Sequence, residues 1–293
     1  MNELKGTGVA MVTPFNADGS VDFQALKKLT QHLVDGGVNY LVVMGTTGES
    51  VTLSKQEKRE VLECILDANG RRLPVVLGVG GNNTSEVVSQ LKLLDTSGLT
   101  AILSVSPAYN KPNQNGIYEH FEAISEASPL PIILYNVPGR TGSNMSAKTT
   151  LRLANDFENI VAIKEASGSV DQCTAILKDK PRDFLVISGD DTLSLPIIAS
   201  GGSGVISVVA NALPSQYSQL ISASLNGDFE VAQKLQYQLF DLINMLFEEG
   251  NPAGVKAVLK ALKICEEDVR LPLVTVSDDL RNRLRDELKS IQA

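Results

Sequence analysis

The chain has 293 residues and a formal net charge of −8, with 43% hydrophobic and 20% charged residues. This balance is typical of a globular protein with a large core, so it excludes a disordered chain, and without a stripe of Lys and Arg the sequence argues against a nucleic-acid partner. The length suits one α/β barrel as well as two average domains.

Short segments rich in β-branched residues recur along the chain and predict strands. Most of them are continuously apolar, which is the pattern of parallel strands buried on both faces beneath helices. The eight predicted strands are Val9–Thr13, Tyr40–Met44, Val75–Val79, Thr100–Val105, Ile132–Tyr135, Ile160–Lys164, Phe184–Ser188 and Val205–Ser207.

Amphipathic segments with helix start and stop signals separate these strands. Asp22 precedes apolar residues at helical spacing that end at Gly36-Gly37, and a later helix is predicted from Thr84 to about Ser97-Gly98. Eight βα repeats within residues 1–225 predict a closed (β/α)8 TIM barrel, with an open doubly wound sheet as the alternative.

Residues 226–293 carry no strand signal and predict three helices, over 229–247, 253–262 and 278–291. Gly250-Asn251-Pro252 and Leu271-Pro272 separate them. We interpret this region as a C-terminal helical appendage to the barrel, which contributes either extra packing or a subunit contact.

Cysteine, histidine and hydropathy patterns set further expectations. The three cysteines (Cys64, Cys173 and Cys265) are isolated, and His32 and His120 have no second ligand at metal spacing, so we expect neither disulfides nor a metal site. The first residues lack the apolar segment of a signal peptide, and no apolar run is long enough to span a bilayer. We therefore expect a cytoplasmic protein without a membrane partner.

Lys164 is the most informative candidate residue. Active sites of such barrels are built at the C-terminal ends of the strands, and Lys164 ends a strand whose preceding residues are apolar. An apolar, partly dehydrated position favours the neutral amine, which is the nucleophilic form of lysine. The alternative is a lysine paired with Glu165 or Asp190, and the strand alone leaves both interpretations open.

Other polar groups are predicted at the same rim. Tyr135 ends the preceding strand, where it is either a proton carrier or a core aromatic. The loop Gly45-Thr46-Thr47-Gly48 offers N–H groups and hydroxyls for a small carboxylate, although such a sequence is often only a turn. Arg140 has the planar guanidinium best suited to a second carboxylate, or it is a surface charge.

Four motifs at the predicted strand ends carry a family resemblance. They are Gly45-Thr46-Thr47-Gly48-Glu49, Tyr135-Asn136-Val137-Pro138 with Arg140-Thr141, Ile163-Lys164-Glu165-Ala166, and Gly189-Asp190-Asp191. Together they resemble the dihydrodipicolinate synthase family, within the superfamily of pyruvate-dependent aldolases and N-acetylneuraminate lyases. The resemblance extends from Gly8 to the Leu271-Pro272 of the tail.

The resemblance implies an activity. Lys164 would form an imine with pyruvate, whose enamine attacks L-aspartate 4-semialdehyde to give 4-hydroxy-tetrahydrodipicolinate, the committed step of diaminopimelate and lysine biosynthesis. No cofactor or metal is implied, because the lysine itself supplies the electron sink. The implied assembly is a homotetramer built as a dimer of dimers.

The resemblance also implies roles for individual residues. The proton relay would consist of Tyr135, Thr47 and, in the adjoining subunit's site, Tyr109. The substrate-binding groups would be Thr46, Thr47, Arg140, Gly189 and Ile206.

Two other functions remain open at this point. Another pyruvate-lysine enzyme, such as a sialic-acid lyase or a 2-keto-3-deoxy sugar-acid aldolase, would share Lys164, although Arg140-Thr141 favours the synthase. A non-catalytic barrel that binds a small keto acid is the second alternative.

Two departures from the family pattern bear on assembly and regulation. Ala108 stands before Tyr109 where relatives carry a second tyrosine that packs across the dimer interface. A possible lysine effector site would comprise Ser50, Asn82 and Glu86, with Lys55 and Lys58 where lysine-inhibited relatives often carry a ring. Because a cation repels a cationic effector, the sequence predicts weak inhibition by lysine.

Overall fold

The computed structural model describes residues 2–292, in which eight parallel strands form one closed barrel in chain order. Strand β1 pairs with both β2 and β8, so the sheet has no free edge. The closed barrel is confirmed, and the open sheet is wrong. The strands are β1 Gly6–Ala10, β2 Tyr40–Val43, β3 Val75–Gly78, β4 Ala101–Val105, β5 Ile132–Asn136, β6 Ile160–Glu165, β7 Leu185–Ser188 and β8 Gly204–Ser207.

Helices surround the barrel and continue after it. Those up to residue 225 are α1 Phe23–Asp35, α2 Lys55–Asn69, α3 Thr84–Lys92, α4 Gln114–Ala127, α5 Pro138–Thr141, α6 Ala147–Asp156, α7 Val170–Asp179, α8 Ser194–Ala199 and α9 Pro214–Leu225. The later ones are α10 Phe229–Glu248, α11 Ala253–Ala261 and α12 Asp278–Gln292, close to the predicted bounds.

Strand β1 begins three residues before its predicted start and ends at Ala10 rather than Thr13. Its first half contains Gly6 and Gly8, which lower strand propensity and hid it from the apolar pattern. The structure needs Gly8, because a Cβ there would lie 2.2 Å from the ring of Tyr40, which is fully buried inside the barrel. A small residue on one strand thus accommodates a large one on the next.

Helix α3 is shorter than predicted, because it ends at Lys92 rather than near Ser97-Gly98. The carboxylate of Asp95 accepts a hydrogen bond from the Ser97 amide at 2.9 Å. Such local bonds from aspartate compete with helical hydrogen bonding and favour a turn. The predicted start of α1 is confirmed, since Asp22 accepts hydrogen bonds from the amides of Gln24 and Ala25.

Apolar side chains form two packed regions, one inside the barrel and one between the strands and the helices. The outer region continues into the appendage through residues such as Leu239, Val255 and Leu280. The appendage and the barrel therefore share one core. The boundary between residues 225 and 226 stays a prediction, and residues 1 and 293, which end the two predicted regions, lie outside the described residues.

Membrane insertion of a helix has no support in residues 2–292, since none of the helices there is long and apolar enough to cross a bilayer.

Candidate active site

A cavity of about 530 Å³ opens at the carboxyl ends of the strands. This is the end where barrel enzymes place their active sites, and the volume suits small molecules. Its wall also includes residues of α10 and Asn251, so the appendage forms part of it. The candidate residues that the cavity brings together are Thr46, Thr47, Tyr135, Arg140, Lys164 and Gly189.

Lys164 lines this cavity with only 6% of its surface exposed. Tyr135 is its register partner on the neighbouring strand β5, so the two side chains point to the same side of the sheet. The Lys164 amine lies 4.4 Å from the centroid of the Tyr135 ring. A Cβ at Gly189 would come within 3.1 Å of the Lys164 Cε, so glycine leaves room for the lysine chain.

The two carboxylates that could have paired with Lys164 are engaged elsewhere. Glu165 accepts hydrogen bonds from the side-chain amides of Asn136 at 3.0 Å and Gln172 at 2.8 Å. Asp190 accepts from the amide and the hydroxyl of Thr192 at 3.0 and 2.8 Å. The ion-pair interpretation of Lys164 therefore loses its support, because both candidate partners serve to fix the loops around it.

The threonine loop after β2 is a tight 3₁₀ turn over Thr46–Gly48. Thr47 is buried at 3% exposure, whereas Thr46 is exposed at the cavity. The Thr13 hydroxyl donates to the Gly48 carbonyl at 2.7 Å, and the Asn251 side-chain amide donates to the Thr47 hydroxyl oxygen at 2.9 Å. Both hydroxyls therefore stand in a fixed loop.

A buried ion pair holds the residue that follows this loop. The Lys256 amine lies 2.7 Å from a carboxylate oxygen of Glu49, and both side chains are almost fully buried. The amine also donates to the Asp268 carbonyl at 2.7 Å, and the Arg270 amide donates to Glu49 at 2.9 Å. Burial lowers the pKa of Lys256, and the Glu49 carboxylate opposes that shift.

Asp191 fixes the opposite wall of the cavity. Its carboxylate accepts hydrogen bonds from the amides of Val208 and Val209 at 3.0 and 2.9 Å, and Val208 lines the cavity. Burial raises the pKa of this carboxyl group above its usual value. Asp191 belongs to the motif Gly189-Asp190-Asp191, but its residue type alone does not indicate that it binds backbone amides of a distant loop.

Arg140 and Tyr109 occupy the outer part of the region. Arg140 is exposed on the short helix α5 and lines the cavity. The Tyr109 amide donates to the Thr141 carbonyl at 3.3 Å, but its side chain is 90% exposed, with a left-handed φ of 62°. Ile206 is buried in β8 among the side chains that fill the barrel. Tyr109 and Ile206 are therefore the two candidates for catalysis or substrate binding that do not line the cavity.

A second cavity of about 230 Å³ adjoins the first, and Thr46 and Tyr135 line both. Ser50 and Lys58 also line it, which places one candidate effector residue and one cation together. Asn82 is exposed, and its side chain accepts a hydrogen bond from the Ala108 amide at 2.8 Å. Glu86 and Lys55 are exposed near the starts of α3 and α2.

The protein-family model described as the dihydrodipicolinate synthetase family matches residues 3–291. The chain belongs to this family. Its similarity to the 4-hydroxy-tetrahydrodipicolinate synthase of Flavobacterium psychrophilum is 56% identity over 284 residues, which covers 97% of each chain.

Solved structures of the family agree over nearly the full length. The dihydrodipicolinate synthase from Aquifex aeolicus gives a TM-score of 0.95 at 42% identity, covering 99% of this chain and 98% of that one. The chloride-inhibited enzyme from Acinetobacter baumannii, solved in complex with pyruvate, gives 0.95 at 39% identity and covers 99% of each chain. The fold of this family is therefore the fold described above.

Proposed function

We propose that this chain condenses pyruvate with L-aspartate 4-semialdehyde to give 4-hydroxy-tetrahydrodipicolinate, the committed step of diaminopimelate and lysine biosynthesis. It is a lyase of the class I aldolase type. The observation that carries the proposal is the cavity that joins a buried strand-end amine, Lys164, to Tyr135, Thr47 and Arg140. Membership of the dihydrodipicolinate synthetase family supports it.

In the proposed mechanism the neutral Lys164 amine attacks the keto carbon of pyruvate, and the adduct loses water to form an imine. Loss of a methyl proton gives the enamine, because the protonated imine nitrogen accepts the electron pair. The enamine carbon attacks the aldehyde of the second substrate. The amino group of that substrate then attacks the imine carbon, closes the ring and releases Lys164. The reaction needs no cofactor.

The other residues of the cavity supply binding and proton transfer. We assign the pyruvate carboxylate to Thr46 and Thr47, which line the cavity from a tight turn and carry a hydroxyl each. Tyr135 and Thr47 carry protons to and from the reacting oxygen and nitrogen. Gly189 and Ile206 contribute backbone groups. Arg140 binds the carboxylate of the semialdehyde, since it is exposed at the cavity and a guanidinium can form two parallel hydrogen bonds with a carboxylate.

We propose a homo-oligomeric, cytoplasmic enzyme, with a tetramer built as a dimer of dimers. Tyr109 supports the assembly, because a tyrosine that is 90% exposed at a left-handed backbone position is suited to enter a neighbouring subunit. The three buried free cysteines suit a reducing compartment.

Turnover of pyruvate with L-aspartate 4-semialdehyde by the purified chain tests the proposed function directly. The synthase produces the dihydrodipicolinate precursor, which a coupled reductase assay detects. Turnover of a sialic acid or a 2-keto-3-deoxy sugar acid in place of the semialdehyde would instead indicate one of the related aldolases. Without either activity, a keto-acid-binding barrel would be the better description.

We expect Arg140→Ala to raise KM for the semialdehyde by about 10- to 100-fold, the loss expected for a charge-assisted pair of hydrogen bonds. Pyruvate should still form its imine, because Arg140 lies on the outer helix α5 rather than beside Lys164. Steady-state kinetics with each substrate varied in turn measures the split. Arg285→Ala, at an exposed position of α12, is the control. An unchanged KM for the semialdehyde would contradict the assignment.

Inhibition by free lysine should be weak. Lys58 lines the second cavity beside Ser50, so a cationic amino acid would meet a fixed positive charge there. We expect less than half inhibition at about 1 mM lysine, whereas Lys58→Ala should bind lysine more tightly because that repulsion is removed. Dose–response curves for both proteins decide the matter, and half inhibition of the parent at submillimolar lysine would refute it.

A further inference from the structure

We infer that Asn251, in the connection between α10 and α11, orients the Thr47 hydroxyl and is a positioning residue for the proton relay. The inference rests on the proposed function, because it assigns a direction to one of its proton transfers. Thr47 and Asn251 are 204 positions apart in the chain, yet both line the cavity that contains Lys164.

The direction follows from the donor and acceptor inventory of the two side chains. The Asn251 amide nitrogen lies 2.9 Å from the Thr47 hydroxyl oxygen, and an amide nitrogen can only donate. The hydroxyl oxygen therefore accepts this bond, and its single proton remains available for a different acceptor. Asn251 is 7% exposed and Thr47 3% exposed, so water competes poorly with this bond.

The surrounding contacts hold Asn251 in this position. Helices α10 and α11 approach so closely that a Cβ at Gly254 would lie 2.3 Å from the Leu246 carbonyl oxygen. Two residues after Gly254 on α11, Lys256 binds Glu49, which itself lies two residues after Thr47. The same short segment of the threonine loop is thus held at two points by the same connection and helix.

The carbonyl oxygen of the Asn251 side chain shows why the orientation of the amide group matters. It is buried and accepts no hydrogen bond from residues 2–292. In the opposite amide orientation this oxygen would take the Thr47 proton, and the hydroxyl could no longer donate toward the cavity. A carboxylate at position 251 would impose that opposite arrangement, since it has the same shape but can only accept.

Because an amide can donate to Thr47 and a carboxylate cannot, a positioning role predicts a different order of kcat values among the variants from a packing role. We expect Asn251→Asp to lower kcat by about 100-fold with a smaller change in the KM for pyruvate, because it removes a general acid–base step. Asn251→Ala should lower kcat by only about 10-fold, since an unbonded hydroxyl still samples the productive direction. A structural role predicts the reverse order, in which the truncated side chain is worse than the isosteric one.

A double-mutant cycle with Thr47→Val separates orientation from charge. In that background there is no hydroxyl to orient, so adding Asn251→Asp should change kcat by less than about threefold. A loss in the Thr47→Val background as large as in the parent would overturn the inference, because the new carboxylate would then act by charge or by misfolding. Alanine more harmful than aspartate would overturn it as well.

Different results would refute the proposed function and the positioning role of Asn251. If the parent protein does not turn over pyruvate and the semialdehyde, the proposed function is refuted. An active parent whose Asn251→Asp variant keeps kcat within about threefold refutes only the positioning role.

Discussion

Replacing Lys164 by methionine should reduce turnover by at least about 10³-fold and abolish the covalent adduct that borohydride traps with pyruvate, because no other lysine of residues 2–292 lines the cavity. Methionine keeps the length and the apolar stem of the side chain, so the barrel should fold. The measurement is intact-protein mass after borohydride treatment with pyruvate, followed by peptide mapping of the modified site.

The matched control is Lys178→Met on α7, where the lysine is exposed. This variant should form the adduct as fast as the parent. An adduct that maps to another lysine, or one that persists in Lys164→Met, would show that the strand-end amine is not the nucleophile. Together these outcomes test imine chemistry independently of the second substrate.

Replacing Lys256 by methionine should destabilise the protein by about 3 to 5 kcal/mol, because the Glu49 carboxylate would remain buried without its counter-ion. At this chain length such a loss lowers the melting temperature by about 10 °C. Calorimetry or denaturant unfolding measures it. Among the ion pairs of residues 2–292, this is the one whose side chains are both almost fully buried.

Lys260, one helical turn later on α11, provides the comparison. It pairs with Glu266 and Glu267 at 3.1 Å, but its side chain is largely exposed, so Lys260→Met should cost less than about 1 kcal/mol. Adding Glu49→Gln to Lys256→Met should recover at least half of the lost stability, since the uncompensated charge is gone while Arg270 keeps an acceptor. Equal losses for Lys256→Met and Lys260→Met would contradict the role of burial.

Local patterns in the sequence predicted the fold and the inner part of the site. A continuously apolar strand that ends in lysine placed Lys164 at the rim, and the alternation of strands and helices placed Tyr135 beside it. Both inferences use only neighbouring residues and the rule that parallel strands end at the same edge. The start of β1 was missed because Gly6 and Gly8 lower its strand propensity, while the residues that they make room for, Asn39 and Tyr40, lie more than 30 positions later.

Local sequence patterns could not predict the contacts between segments that are distant in the chain. Nothing in the composition of α11 distinguishes Lys256, which is buried, from Lys260, which is exposed. Asn251 looked like part of a loop between helices, and only the folded chain brings its amide to Thr47. The residue type determines which hydrogen bonds a side chain can make, but the packing of the whole domain determines its actual partner.

The bonds from the appendage to the threonine loop also bear on the order in which the protein is completed during translation. The partners of Thr47 and Glu49 are encoded 204 and 207 positions later, after the last barrel strand. On the ribosome, all eight strands are therefore made before either partner exists. Until Asn251 and Lys256 emerge from the exit tunnel, the Thr47 hydroxyl and the Glu49 carboxylate lack these two partners. All eight strands of the nascent barrel are therefore present before the threonine loop is held in place.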